Sequence, residues 1–95
     1  MSVCVIYDMV ALSGQSFALS NALDRLASAI RGLSGCAGVT LLQDNADEQR
    51  FLFIEHWPSR EVYQQASRQL PASAFSPIKT FLAQSPIRRT FTQRP

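Results

Sequence analysis

Arg50-Phe51-Leu52-Phe53-Ile54-Glu55-His56-Trp57 (RFLFIEHW), followed at once by Pro58-Ser59-Arg60, decides how the rest of the chain is read. A run of aromatic and aliphatic side chains without Gly or Pro predicts a strand. Alternation places Phe51, Phe53, Glu55 and Trp57 on one face and Leu52, Ile54 and His56 on the other. Both faces are mostly apolar, so both need cover. Pro58 ends the ladder because it has no N–H to donate, and Ser59 stands where a hydroxyl caps a helix. That helix is expected from Arg60 to about Gln69, with Pro71 stopping it.

Upstream, Cys36 to Asp44 (CAGVTLLQD) reads as a strand joined to this one by the polar turn Asn45-Ala46-Asp47-Glu48-Gln49, a hairpin. Before it, Leu19, Leu23, Leu26, Ala27, Ile30 and Leu33 recur at helical spacing, with Ser16 as the expected cap and Gly32 to Gly35 as the end. Ser2 to Val10 predicts a first strand, again apolar on both sides: Val3/Val5/Tyr7/Met9 and Cys4/Ile6/Val10. Downstream, Ser76-Pro77 opens a third, short helix to about Gln84, because proline suits the first helical position. Pro86 closes it. Ile87 to Gln93 alternates Ile87, Arg89, Phe91 and Gln93 with Arg88, Thr90 and Thr92, a last strand at an edge.

The order β-α-β-β-α-β is the ferredoxin-like α+β arrangement: a four-stranded antiparallel sheet in the order 4-1-3-2 with both main helices on one face. One domain over residues 1–95 is expected. The face without helices is apolar on the first and third strands, and a homodimer packed through the open sheet faces removes that exposed patch. The same order keeps the first and second strands apart, so Cys4 and Cys36 are expected as free thiols.

Ninety-five residues with 46 % apolar and 17 % charged side chains describe a globular chain. A chain of this size buries only roughly 60–65 % of its unfolded surface, which again favours a partner subunit. No apolar stretch approaches the roughly 18 residues of a membrane span. Met1 to Tyr7 has no Lys or Arg before its apolar run and Asp8 interrupts that run, so no signal peptide and a cytoplasmic location are expected. With one histidine, His56, no structural zinc site assembles from His and Cys. Residues 1–61 hold four Arg against seven acids, whereas residues 62–95 hold Arg68, Lys79, Arg88, Arg89 and Arg94 against none. Only Arg88 and Arg89 are adjacent, too sparse for a nucleic-acid interface; the basic third is a solvated face or a wall that attracts a phenolate or carboxylate.

Four groups of residues are candidates for chemistry. Ser76-Pro77-Ile78-Lys79 has the S-x-x-K spacing of serine acyl enzymes without their scaffold. Gly32, Gly35 and Gly38 lead from helix to strand, the reverse of a phosphate loop. Glu55, among Phe51, Phe53 and Trp57, is a general-base candidate if desolvation raises its pKa, or else a carboxylate satisfied by an Arg or by backbone N–H groups. Trp57 and Tyr63, separated by a strand end and one helical turn, converge on one cavity mouth, while His56 points to the interface.

Gly35-Cys36-Ala37-Gly38 through Trp57-Pro58-Ser59-Arg60-Glu61-Val62-Tyr63 resembles the antibiotic biosynthesis monooxygenase family. Its members are small dimeric α+β barrel proteins with a Pro-Gly-Cys-like turn, two strands and a Trp-x-Ser-x-Glu-x-(Tyr/Phe) helix start. The resemblance implies cofactor-independent oxidation of phenolic, anthrone-like or quinol compounds by O₂, with no cofactor or metal and a small aromatic substrate. It assigns Trp57 and Tyr63 to the pocket. Two family positions differ: the substrate-holding asparagine is Phe53, and the histidine of the second helix is Ala66. The Asn, Trp and His of the haem-degrading branch fall near Tyr7, Gln65 and Phe75, which disfavours haem oxygenation. Tyr7 and Glu55 are then the proton-transfer groups, Phe53, Trp57 and Tyr63 the substrate contacts, and Lys79 or Arg89 the cation that balances a substrate anion. The alternative is a non-catalytic ligand-binding or structural homodimer of the same fold.

Overall fold

A computed structural model describes residues Met1–Pro95. The elements run β1 (Val3–Val10), α1 (Ser16–Arg31), β2 (Gly38–Gln43), β3 (Arg50–Trp57), α2 (Arg60–Ser67), a 3₁₀ turn (Ala72–Ala74), α3 (Ser76–Lys79) and β4 (Ile87–Thr92). They form the expected ferredoxin-like α+β fold, a four-stranded antiparallel sheet in the order β2-β3-β1-β4.

Strand register settles the faces. Val3 lies opposite Trp57, Val5 opposite Glu55, Tyr7 opposite Phe53 and Met9 opposite Phe51. This set turns toward α1, whose Leu19, Ala22, Leu23, Leu26, Ala27 and Ile30 are all buried. Side chains at period 2 on the strands thus meet side chains at helical spacing on α1, and their contact is the core. Burying a leucine or phenylalanine side chain there contributes roughly 1.5–3 kcal/mol. The other face carries Cys4, Ile6, Leu52, Ile54 and His56, with Leu42, Ile87 and Phe91 on flanking strands 45–51 % exposed. Cys4 and Cys36 are free thiols.

Local corrections have backbone causes. Ser16 is the first residue of α1 rather than its cap; Gln15 caps it without a side-chain bond. Gly14, at φ +78°, turns the chain so that the Gln15 N–H already donates to the Leu12 carbonyl. Ser59 caps α2 as expected, its hydroxyl accepting from the Val62 N–H. The third helix is one turn long and does not reach Gln84, because the backbone that follows it is engaged elsewhere. Ala83 N–H donates to the Val10 carbonyl and Leu12 N–H to the Phe81 carbonyl, tying this segment to the end of β1. No helix is long and apolar enough to cross a membrane.

Candidate active site

Two elements and one turn place the site. Glu55 and Trp57, two residues apart on β3, project to the same side of the strand, and the Trp57 indole N–H donates to the Glu55 carboxylate at 2.9 Å. Ser59 starts α2 immediately after the strand, which brings Tyr63 back over the sheet with its ring 5.8 Å from that of Trp57. Gly35 sets how closely the α1–β2 turn approaches: at φ +87°, a Cβ there would overlap Cγ1 of Val62, beside Tyr63. From β4, Arg88 donates to the Tyr63 hydroxyl and holds its guanidinium carbon 5.5 Å from the centre of the Tyr63 ring. Tyr7 stands directly across the β1–β4 ladder from Arg88 and packs edge-on against Phe53, with ring centres 6.2 Å apart.

Two cavities meet at this cluster. The narrower, about 40 Å³, is bounded by Glu55, Trp57, Tyr63 and Tyr7, with Phe75 and Leu70 among its apolar walls. The larger, about 210 Å³, is lined mainly by Met9, Leu26, Phe75, Ile78 and Leu82, with the Tyr7 ring on its wall and Lys79 at its margin. Tyr7 and Phe75 belong to both. The first has room for a water or two; the second is the one with room for an organic ring.

Electrostatics separates the roles of the two acids. Burial, reinforced by Glu55 and Tyr63 and opposed by Arg88, pushes the Tyr7 phenol far above its ordinary range. Tyr7 is therefore a hydrogen-bond donor at neutral pH, not a standing phenolate. Burial also raises the Glu55 carboxyl, against the Trp57 hydrogen bond and the Arg88 charge, which both favour its ionised form. A carboxyl raised from its ordinary value is better matched to proton uptake near neutral pH. The bond to Tyr63 holds Arg88 above the ordinary guanidinium range, so it stays cationic.

The structure gathers Tyr7, Glu55, Trp57 and Tyr63, and sets Lys79 at the edge of the larger chamber. It separates two others. Phe53 is fully buried, lines neither cavity and packs edge-on against Tyr7. Arg89 pairs across β1 with Ile6 and so lies on the open face, away from the pocket. The cation at the site is its neighbour Arg88. Alternation had already put Arg88 and Arg89 on different faces; missing was which set turns toward the helices. His56 also lies on the open face, with its Nε2 3.0 Å from the Thr40 hydroxyl.

The model of one protein family, antibiotic biosynthesis monooxygenase, matches residues 2–75. The chain belongs to this family. The match contains β1 through α2, and with them Tyr7, Glu55, Trp57 and Tyr63, and ends at Phe75 before α3 and β4. Among solved structures, a variant of SnoaB, a cofactor-independent oxygenase from Streptomyces nogalater, superposes with a TM-score of 0.85 at 16 % identity, over 99 % of this chain and 94 % of that one. Rv0793 from Mycobacterium tuberculosis gives 0.84 at 18 % identity, over 100 % and 97 %. PA3566 from Pseudomonas aeruginosa gives 0.82 at 23 % identity, over 99 % and 95 %. At these identities the likeness is one of fold. No curated protein matches the sequence.

Proposed function

We propose that this family member is a cofactor-independent monooxygenase that oxidises a phenolic, anthrone-like or quinol small molecule with O₂, working as a homodimer through the open sheet face. The observation that carries this reading is the wall formed by Tyr7 and Phe75, with a ring-sized apolar chamber on one side and the Glu55–Trp57–Tyr63 cluster on the other. The family match and the fold shared with SnoaB support it.

In the proposed reaction the substrate supplies the electrons. As Tyr7 accepts a proton from the bound ring it passes its own to Glu55 across the narrow cavity that both line, which has room for a bridging water, so no free tyrosinate accumulates. Trp57 orients the receiving carboxylate, and Lys79 and Arg88 offset the negative charge left on the substrate. The carbanion or phenolate gives one electron to O₂, and the resulting radical pair combines to form a C–O bond. The peroxide takes back the proton and loses water as its O–O bond breaks, so a CH₂ group and O₂ become C=O and H₂O. The apolar walls keep bulk water from the radical pair.

Ile6, Leu52, Ile54 and Phe91 on the open face support the dimer, since they form an apolar surface that water disfavours. A second reading, a ligand-binding dimer without turnover, is favoured by Phe53 and Ala66, which fill the core with carbon where an amide and an imidazole would act.

O₂ consumption with a panel of anthrones, naphthols and quinols, without flavin, haem or metal, tests the proposal. Protein-dependent uptake above autoxidation, lost in Trp57→Phe/Tyr63→Phe, is the expected result. Binding without uptake across the panel would assign the fold to ligand binding instead.

A further inference from the structure

A third concavity, about 340 Å³, lies between α2 and β4, with Tyr63 and Val3 among its lining residues. Its composition follows from two periodicities. Arg60, Tyr63, Gln64 and Ser67 are one face of α2, at spacings of three and four. Arg88, Thr90 and Thr92 are alternate residues of β4, the set that pairs with Tyr7, Val5 and Val3. A helix face and a strand face thus converge two guanidinium groups, three hydroxyls beside that of Tyr63, and one amide, with no carboxylate in the lining.

Such a surface has donors to spare and no internal anion to neutralise its charge. Arg88 uses one of its N–H groups on the Tyr63 hydroxyl, which leaves others for a ligand. Arg60 has no carboxylate partner; the only ion pair in the molecule joins Arg50 to Asp8. Planar guanidinium groups with flanking hydroxyls match the paired oxygens of a carboxylate or phosphate. Nothing in the proposed oxidation uses Arg60, Thr90 or Thr92.

We infer that the α2–β4 cleft is an oxyanion subsite, held by Arg60 and Arg88 with Thr90 and Thr92, for the carboxylate of an aromatic acid seated against Tyr63 or for a free oxyanion such as phosphate. It goes beyond the proposed function and does not rest on it, since the cleft shares no lining residue with the ring-sized chamber. Because Tyr63 and Arg88 belong to both this cleft and the aromatic cluster, an anion here acts on the wall of the reaction site.

The single tryptophan, Trp57, packs on Tyr63, so its fluorescence reports binding on either side of that wall. Titrations of the wild-type protein with 1-naphthol, 1-hydroxy-2-naphthoate and inorganic phosphate at low salt separate the sources. The expected result is about tenfold tighter binding of the naphthoate than of the naphthol, a preference that collapses toward one in Arg60→Gln, narrows in Thr90→Val and shrinks at high salt. Phosphate binding that Arg60→Gln abolishes, without a naphthoate preference, supports the subsite and assigns it to a free oxyanion. Equal binding of the two naphthalene compounds with no phosphate binding would overturn it, as would a preference unchanged in Arg60→Gln. Oxygen uptake is a separate readout: its absence beside an Arg60-dependent preference would sink the oxygenase reading and leave the subsite standing.

Discussion

The two faces of the sheet start from similar residues and end in different physical states. Phe53 and Ile54 are chain neighbours on β3, yet Phe53 is fully buried under the helices while Ile54 lies on the face no helix covers. Arg88 and Arg89 repeat the contrast on β4: one reaches Tyr63, and the other sits opposite Ile6. A period-2 strand sorts neighbours onto opposite sides, and what lies above each side then determines what the residue can do. The helix-covered side has become core and pocket; the open side retains an exposed apolar surface.

Paired substitutions break this comparison most directly. Phe53→Ala is expected to cost about 3–5 kcal/mol through the cavity it leaves, measured by denaturant unfolding and independent of protein concentration. Ile54→Asp, one residue on, is expected to lower the sedimentation mass to that of a monomer, with a loss of roughly 3 kcal/mol that depends on concentration. An Ile54→Asp protein of unchanged mass and stability would remove the interface from the open face.

A smaller effect isolates the one carboxylate in the core. The raised Glu55 pKa means the folded state favours the protonated form, so its stabilising contribution is complete below the unfolded value of about 4.3 and is lost as pH rises through the folded value. The slope for a single proton is at most ~1.4 kcal/mol per pH unit. Glu55→Gln is expected to flatten stability over that window; an unaltered pH profile would show that Glu55 titrates normally. The smallest effect sharpens the pocket side. Tyr63→Phe removes the hydroxyl that accepts from Arg88 and is expected to weaken binding of phenolic ligands several-fold with little change in unfolding, since one such hydrogen bond contributes about 1 kcal/mol. Identical affinity would take Tyr63 out of the site.

Much of the architecture is legible in the sequence. The strand over Arg50–Trp57 is observed with those bounds, and Pro58 and Ser59 open the helix after it as their chemistry demands, although that helix ends at Ser67, short of Gln69, and Pro71 caps the 3₁₀ turn that follows. Trp57 and Tyr63 were readable because strand alternation, a Ser cap and one helical turn are all local rules. The length of α3 was not, since the bonds that cut it short come from Val10 and Leu12, some seventy residues earlier in the chain. Arg88 was missed for a related reason. Its strand pairs only with β1, and every one of its residues is exposed, so no burial pattern in β4 marks which side meets the pocket.

By itself, then, the sequence determined the elements, their order and the two-faced strands, because side-chain spacing and backbone capping act over a few residues. Only the tertiary structure decided that Arg88 rather than Arg89 joins the site, that Tyr7 and Phe75 divide two cavities, and that a face of α2 and a face of β4 enclose a cationic cleft. Those are distances between residues far apart in the chain, set by register and packing, and no local rule encodes them.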